Sequence, residues 1–146
     1  MRAAVARDAR AVRACVHAAY QHYVERIGRQ PGPMTQDYAA LIREHRVKLA
    51  ESGGEVVGVL VLGVTDEGFL LENVAVAPAH RGKGLGRMLI ELAEAEARGA
   101  GFSSIYLYTH EKMAENQALY ARNGYVEFDR RVERGLARVY MRKVLL

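Results

Sequence analysis

The chain has 146 residues, 50% of them hydrophobic and 26% charged, a balance typical of a single globular domain. No apolar run reaches the roughly 20 residues of a membrane helix and no signal peptide is recognised, so no membrane partner and a cytoplasmic location are expected. The net charge is +4, and the basic residues are scattered among acidic ones. No basic helix or aromatic platform for nucleic acid is recognised, and the mild positive charge suits a polyanionic cofactor at least as well as nucleic acid.

Hydrophobic periodicity, together with glycine, proline and capping residues, divides the chain into helices and strands. In chain order the predicted elements are a strand at 2–5, helices at 7–26 and 35–44, strands at 47–51, 55–64 and 69–77, a helix at 84–98, a strand at 104–109, a helix at 114–123, and strands at 125–132 and 137–144. An unbroken apolar stripe makes the first helix long, and Thr35 is the expected N-cap of the second. On helix 84–98, Glu94 and Arg98 are expected to form an exposed i,i+4 pair.

The order of these elements predicts the topology of one domain over residues 1–146. Strand 69–77, helix 84–98 and strand 104–109 form a β-α-β unit, so these two strands should be parallel with a right-handed crossover. Strands joined by short turns should be antiparallel. The expected fold class is therefore α+β, with three layers (α/β/α) built on a mixed, mostly antiparallel sheet of six to seven strands.

A glycine-rich turn, Arg81-Gly82-Lys83-Gly84-Leu85-Gly86, joins the first strand of this unit to its helix. Alternate glycines permit a sharp turn and remove side chains that would hold a ligand away. The first N–H groups of the helix lack intrahelical partners, and the helix dipole adds positive potential there. The turn is therefore predicted to bind phosphate, with mobile positive charge from Arg81 and Lys83 beside it.

Two common phosphate motifs do not fit this turn. A P-loop requires Gly-x-x-x-x-Gly-Lys-Ser/Thr, and both the spacing and the hydroxyl are missing here. A dinucleotide fingerprint requires Gly-x-Gly-x-x-Gly, but Gly86 comes one residue early and no acid follows at the expected distance. The pattern that fits is Arg-x-x-Gly-x-Gly.

With residues 71–78 before it, and 108–120 and 123–125 after it, this pattern resembles the cofactor motif of the GNAT superfamily of acyl-CoA N-acyltransferases. The resemblance covers essentially the whole chain. It implies an N-acetyltransferase that moves an acetyl group from acetyl-CoA to a primary amine by direct attack in a ternary complex. It also implies a slot for the thioester where the motif strand and the next strand splay apart. The cofactor-binding residues that it implies are Asn73, Val74, Ala75, Val76, Arg81, Gly82, Lys83, Gly84, Leu85, Gly86, Arg87, Asn116 and Tyr120.

The resemblance also suggests catalytic residues. Asn116 and Tyr120 share one helix face, and the family pattern would place Asn116 on the pantetheine and Tyr120 near the sulfur as general acid. Many family members carry a glutamate early in the motif strand, where this chain has Leu70; Glu72 has the same parity and is one candidate base. His110 is the other candidate. A structural role for Glu72, or catalysis without a strong base, stays an open alternative.

The first two helices and their loop are expected to build the acceptor pocket. Its expected wall residues are Tyr20, Tyr23, Arg26, Arg29 and Met34. Arg26 and Arg29 could receive a carboxylate on the acceptor. No metal site is predicted, and the resemblance allows a homodimer paired through the C-terminal strands. A CoA-binding sensor or partner module without turnover is the alternative function, and the sequence does not identify the acceptor.

Overall fold

The computed structural model describes residues 1–146 and contains a seven-stranded sheet with helices packed on both faces. The strands are β1 (Arg2–Ala3), β2 (Val47–Ser52), β3 (Glu55–Thr65), β4 (Gly68–Val76), β5 (Ser104–His110), β6 (Val126–Glu133) and β7 (Leu136–Val144). The helices are α1 (Ala9–Tyr20), α2 (Tyr23–Ile27), α3 (Tyr38–Arg43), α4 (Leu85–Gly99) and α5 (Ala114–Arg122), with short 3-10 turns at Ala6–Asp8, Gly32–Thr35 and Pro78–His80. None of the helices combines the length and the apolar character needed to cross a membrane.

The strand order is β1-β2-β3-β4-β5-β7-β6, and every neighbouring pair is antiparallel except β4 and β5. The parallel pairing is short, because only Phe69 with Ile105 and Leu70 with Tyr106 are in register. Beyond these positions the two strands are no longer paired, which leaves a gap at their C-terminal ends. The mixed, mostly antiparallel sheet and the central β-α-β unit are therefore confirmed.

Each face of the sheet buries its own apolar cluster. Helices α1 and α3 pack on one face, where Val12, Val16 and Val59 are almost fully buried. Helix α4 packs on the other face, where Leu89 and Ile90 are inaccessible to solvent. These clusters hold the ends of α1 and α4 close to the strands that flank the gap, which is where the polar residues collect.

The N-terminal helices differ from the sequence prediction in two places. The helix predicted over 7–26 is broken, because the Val24 N–H bonds the Gln21 carbonyl at 3.2 Å in a tight turn between α1 and α2. Thr35 does not cap α3, since its hydroxyl donates instead to the Gly32 carbonyl at 2.9 Å. Asp37 is the cap, and its carboxylate accepts from the Ala40 N–H at 3.1 Å.

The polar side predicted for α4 is also wrong at one position. Glu94 is buried, 5% exposed, where it accepts hydrogen bonds from Lys143 Nζ at 2.9 Å and the Tyr125 hydroxyl at 3.1 Å. Met88, on the same helix, is 51% exposed. A buried carboxylate requires a charged partner and hydrogen bonds, and Lys143 of β7 and Tyr125, rather than Arg98, supply them.

Candidate active site

A groove runs along the C-terminal half of β4, past the N-terminus of α4 and beside α5. Its floor includes Val74, Ala75 and Val76 of β4, and its end includes the turn before α4. The first intrahelical bond of α4 runs from the Met88 N–H to the Gly84 carbonyl, so the N–H groups of residues 85–87 have no intrahelical acceptor. These donors make the end of the groove suitable for a phosphate group.

The glycines of this turn adopt a left-handed backbone. Gly82 and Gly84 have φ angles of 77° and 78°, which side-chain-bearing residues rarely adopt, and a Cβ at either position would meet no atom within 4 Å. The conformation of the turn, rather than crowding, therefore requires glycine. Arg81 is not a mobile charge as predicted, because its Nη2 donates to the Ala19 carbonyl at 2.8 Å and fastens the turn to α1.

Most of the predicted cofactor residues line the groove. They are Val74, Ala75, Val76, Arg81, Gly82, Gly84, Leu85, Gly86, Arg87 and Asn116. Lys83 is exposed and lies outside it, while Asn73 and Tyr120 line the adjoining cavity. Two further cations of the groove, Arg122 and Lys143, were missed because each belongs to an element far along the chain. Four cations against three carboxylates (Glu91, Glu94 and Glu115) leave the groove with a small positive excess, which suits a polyanionic ligand.

A cavity adjoins the groove on the side of α3. Its polar wall includes Glu72, Asn73, Tyr108, His110, Tyr120 and Arg138. Its apolar wall consists of Pro31, Pro33, Leu41, Val61, Met113 and Leu136. The groove and the cavity share only Tyr20 and Asn116, so these two side chains form the junction between them.

A β-bulge turns two consecutive residues of β4 into the cavity. Val61 pairs with Asn73 but Leu62 pairs with Leu71, which leaves Glu72 as an extra residue without a partner on β3. The Glu72 carboxylate is bonded through Oε2 to the guanidinium of Arg46. Burial raises the pKa of Glu72, and Arg46 opposes that rise.

Both polar atoms of the Asn73 side chain form hydrogen bonds within the protein. Its Oδ1 accepts from the Tyr20 hydroxyl at 2.6 Å, and its Nδ2 donates to the Tyr38 hydroxyl at 3.1 Å. Tyr38 in turn donates to the Pro33 carbonyl. The amide thus ties α1 and α3 to β4.

Tyr120 lines the cavity, and its hydroxyl has no hydrogen-bond partner in the protein. Its ring is buried and packs edge-on against Tyr125, with ring centroids 5.9 Å apart. Burial raises the pKa of Tyr120, so the phenol is protonated at neutral pH. The free O–H is therefore available to donate a proton into the cavity.

His110 also reaches the cavity, at the end of β5. Its Nδ1 accepts a hydrogen bond from the Lys112 N–H at 3.1 Å, so the neutral ring carries its proton on Nε2. Burial lowers the pKa of His110 and favours this neutral form. In this arrangement the lone pair of the imidazole is already occupied.

The sequence model of the Acetyltransferase (GNAT) family matches residues 10–125. The chain belongs to this family. The resemblance to the GNAT family that the glycine turn suggested is thereby confirmed. The turn that carries this resemblance lies at the end of the groove.

Two curated relatives of this GNAT chain are acetyltransferases by name. An IAA acetyltransferase of Azospirillum brasilense is 36% identical over 84 residues, covering 56% of this chain and 55% of the relative. N-alpha-acetyltransferase 80 of Mus musculus is 45% identical over 56 residues, covering 38% of this chain and 17% of the relative. The matches thus span about half and about a sixth of the relatives' own lengths.

Solved structures share the whole fold. A protein assigned to the GNAT family from Desulfovibrio desulfuricans superposes with a TM-score of 0.80 at 22% identity, covering 100% of this chain and 98% of the other. PaiA N-acetyltransferase from Thermoplasma acidophilum, solved in complex with coenzyme A, has a TM-score of 0.75 at 16% identity, covering 98% and 96%. At these identities the likeness establishes the GNAT fold alone.

Within this GNAT fold, the five residues predicted for the acceptor pocket do not lie together in one pocket. Tyr20 lines both the groove and the cavity, and Tyr23 lines the groove. Arg26 instead pairs with Glu115 at 2.8 Å, and Arg29 donates to the Arg134 carbonyl at 3.2 Å. Met34 is 4% exposed within the core beside α1. The break after α1 explains part of this, since it removes residues 23–27 from the α1 face.

The charged residue that sequence reasoning missed in the cavity is Arg138. It lies on β7 directly opposite His110 of β5. Finding it requires the knowledge that β7, rather than β6, is the neighbour of β5. The alternation of residues 138, 140 and 142 on one face is visible in the sequence, but the strand beside them is not.

Proposed function

We propose that this chain is an N-acetyltransferase that takes an acetyl group from acetyl-CoA and places it on a primary amine. The observation that carries the proposal is the junction at Tyr20 and Asn116. There a groove suited to phosphate meets a cavity that holds a free phenol and a carboxylate. The family, whose named relatives are acetyltransferases, supports the same reaction class.

The groove has the features that acetyl-CoA requires. The N–H groups of residues 85–87 would hold the pyrophosphate, with Arg81 and Arg87 beside them. The edge of β4 that faces the gap has no partner beyond Leu70, so its backbone at Val74 and Val76 would pair with the pantetheine amides as an added strand does. Asn116, at the junction, would contact the inner end of that arm.

Acetyl-CoA supplies a thioester, whose acetyl carbon gains a bond to the amine nitrogen as its bond to sulfur breaks. The reaction leaves a proton to be removed from nitrogen and a thiolate to be protonated. Tyr120 is the acid, because it lines the cavity and its hydroxyl is protonated and free of other partners. Asn73 and Tyr20 keep the wall around the reacting groups fixed through their mutual hydrogen bond.

Glu72 is the better of the two candidate bases. Only its Oε2 is bonded to Arg46, so Oε1 remains available to accept a proton, directly or through a water. Burial raises its pKa, which makes the ionised carboxylate a stronger base than that of an exposed glutamate. His110 is less suitable, because the Lys112 N–H occupies the lone pair of its Nδ1 and its Nε2 carries the ring proton.

Calorimetry with acetyl-CoA, followed by a thiol-release assay over amines, peptides and aminoglycosides, tests this proposal. We expect saturable binding of acetyl-CoA and release of free thiol with at least one class of amine. Mass spectrometry should find the acetyl group on nitrogen. Binding without turnover on any amine would make the chain a CoA-binding module instead, and no binding at all would remove the proposed cofactor.

A further inference from the structure

The carboxylate and the guanidinium of the cavity wall come from different strands. Glu72 belongs to β4 and Arg138 to β7, on opposite sides of the gap. Glu72 already has a cationic partner in Arg46, which is not part of the cavity wall. Neutralising the charge of Glu72 therefore does not account for the presence of Arg138 in the cavity wall.

The Arg138 guanidinium lies over an aromatic ring, and its ion pair with a carboxylate is long. Its guanidinium carbon lies 4.3 Å from the centroid of the Tyr108 ring, and the side chain is 15% exposed. Its ion pair with Glu133 is 3.6 Å long, whereas a charge-assisted hydrogen bond measures about 2.7–2.9 Å. The other oxygen of Glu133, Oε1, accepts from the Tyr140 hydroxyl. The Arg138 guanidinium thus lies over an aromatic ring, and its N–H groups have no carboxylate at bonding distance.

We propose that Arg138 binds a carboxylate of the acceptor, so that the preferred acceptors are primary amines that carry a carboxylate, as amino acids do. A planar guanidinium that is already oriented offers two parallel N–H donors to a carboxylate. The amine of such an acceptor would lie toward Glu72 and Tyr120, and its hydrocarbon part against the apolar wall. This inference rests on the proposed acetyl transfer and gives the acceptor class for the same site.

Matched sets of acceptors test the role of Arg138. Each set contains an amino acid, its carboxamide and the corresponding amine without the carboxyl group: leucine, leucinamide and isopentylamine, then phenylalanine, phenylalaninamide and phenethylamine. The measured quantity is kcat/KM from thiol release with saturating acetyl-CoA. We expect the parent protein to favour the carboxylate, and R138Q to lower that preference about 10- to 100-fold while the carboxamide changes less than about twofold. Comparing parent with variant cancels the different basicities of the amines.

Arg142 provides the matched control. It lies on the same face of β7, and its guanidinium carbon is 4.9 Å from the ring centroid of Phe128, but it does not line the cavity. R142Q should therefore keep the carboxylate preference of the parent, and R138K, which retains the charge, should keep part of it. Thermal unfolding of each variant shows whether the fold is intact, and R138K serves as the test if R138Q does not fold.

The outcomes separate this inference from the proposed function. Equal use of carboxylate and carboxamide by the parent, or an unchanged preference in R138Q, would overturn the role of Arg138 and leave acetyl transfer intact. An equal loss of preference in R142Q would show a general charge effect and would also overturn it. No acetylation of any acceptor by protein that binds acetyl-CoA would overturn the proposed function, and this inference with it.

Discussion

The Tyr20 hydroxyl donates to Asn73 Oδ1 at 2.6 Å, and the Val74 carbonyl oxygen lies 3.1 Å from the same hydroxyl. Both side chains are buried, at 4% and 3% exposure, and the bond joins the last residue of α1 to the bulged segment of β4. The partners are 53 residues apart in the chain, so the contact is purely tertiary. It sets the distance between the helix and the strand at the point where the groove and the cavity meet.

Replacement of Tyr20 by Phe should lower the free energy of unfolding by about 1–3 kcal/mol, because the buried Asn73 oxygen loses its donor. Urea unfolding followed by circular dichroism measures this. Tyr108→Phe is the control, since the Tyr108 hydroxyl has no hydrogen bond in the protein and its loss should cost less than about 0.5 kcal/mol. Equal costs for the two variants would show that the bond to Asn73 contributes little.

Tyr120→Phe should reduce kcat for acetyl transfer about 100-fold or more, because the departing thiolate loses its proton donor. The affinity for acetyl-CoA should stay within about twofold, since Tyr120 lines the cavity and not the groove. Stopped-flow thiol release and calorimetry measure the two quantities. Tyr125→Phe, which changes the neighbouring ring but not the cavity wall, should retain most of kcat. An unchanged rate in Tyr120→Phe would exclude it as the acid.

The pH profile of kcat/KM should identify Glu72 as the base. A base acts in its ionised form, so the rate should rise with pH through the pKa of Glu72, which burial has raised. Glu72→Gln should remove this rise at low pH, the acidic limb of the profile, and lower the rate about 100-fold. Since Arg46 lowers the pKa of Glu72, Arg46→Gln should raise that pKa further and move the limb to higher pH.

Lys48→Gln is the control for this shift. It also removes one cation from the same region of chain, but Lys48 pairs with Glu96 and does not contribute to the pKa of Glu72. Its acidic limb should coincide with that of the parent. A limb that persists in Glu72→Gln would assign the titration to another group, with the acceptor amine and His110 the first to be examined.

Gly84→Ala should weaken acetyl-CoA binding about tenfold or more. The left-handed φ of 78° strains an alanine by about 1–2 kcal/mol, and relief of that strain would rotate the N–H groups that follow. Gly101→Ala is the matched control. Gly101 also has a left-handed φ, of 87°, and open space where a Cβ would lie, but it does not line the groove. Both variants should lose similar stability, but only Gly84→Ala should lose affinity. Equal affinities, measured by calorimetry, would argue against phosphate binding at this turn.

The sequence was sufficient to predict the sheet, the β-α-β unit and the groove, because these depend on periodicity and on glycines within a short segment. It was insufficient wherever a distant partner decides the outcome. Glu94 has the spacing of an exposed helix residue, and Lys143, 49 residues later, makes its burial tolerable together with Tyr125. The apolar stripe of residues 7–26 continues through the break at Gln21, so no local signal marked it.

The acceptor side was the least predictable part of the site. Arg26 and Arg29 were reasonable candidates for a carboxylate, but Glu115 and the Arg134 carbonyl, both on later elements, hold them elsewhere. Arg138 reaches the cavity only because β7 is inserted between β5 and β6. Parity on β4 placed Glu72 in the cavity, yet the bulge that brings Asn73 to the same side has no signature in the sequence.

The shortness of the β4–β5 pairing has a kinetic consequence. Because the strands separate after Leu70 and Tyr106, the groove and the cavity are each partly open to solvent and meet only at Tyr20 and Asn116. Neither reactant then has to pass through the binding site of the other on its way in or out. Steric obstruction imposes no order of addition, so any compulsory order seen in product-inhibition patterns has to arise from energetic coupling through those two side chains.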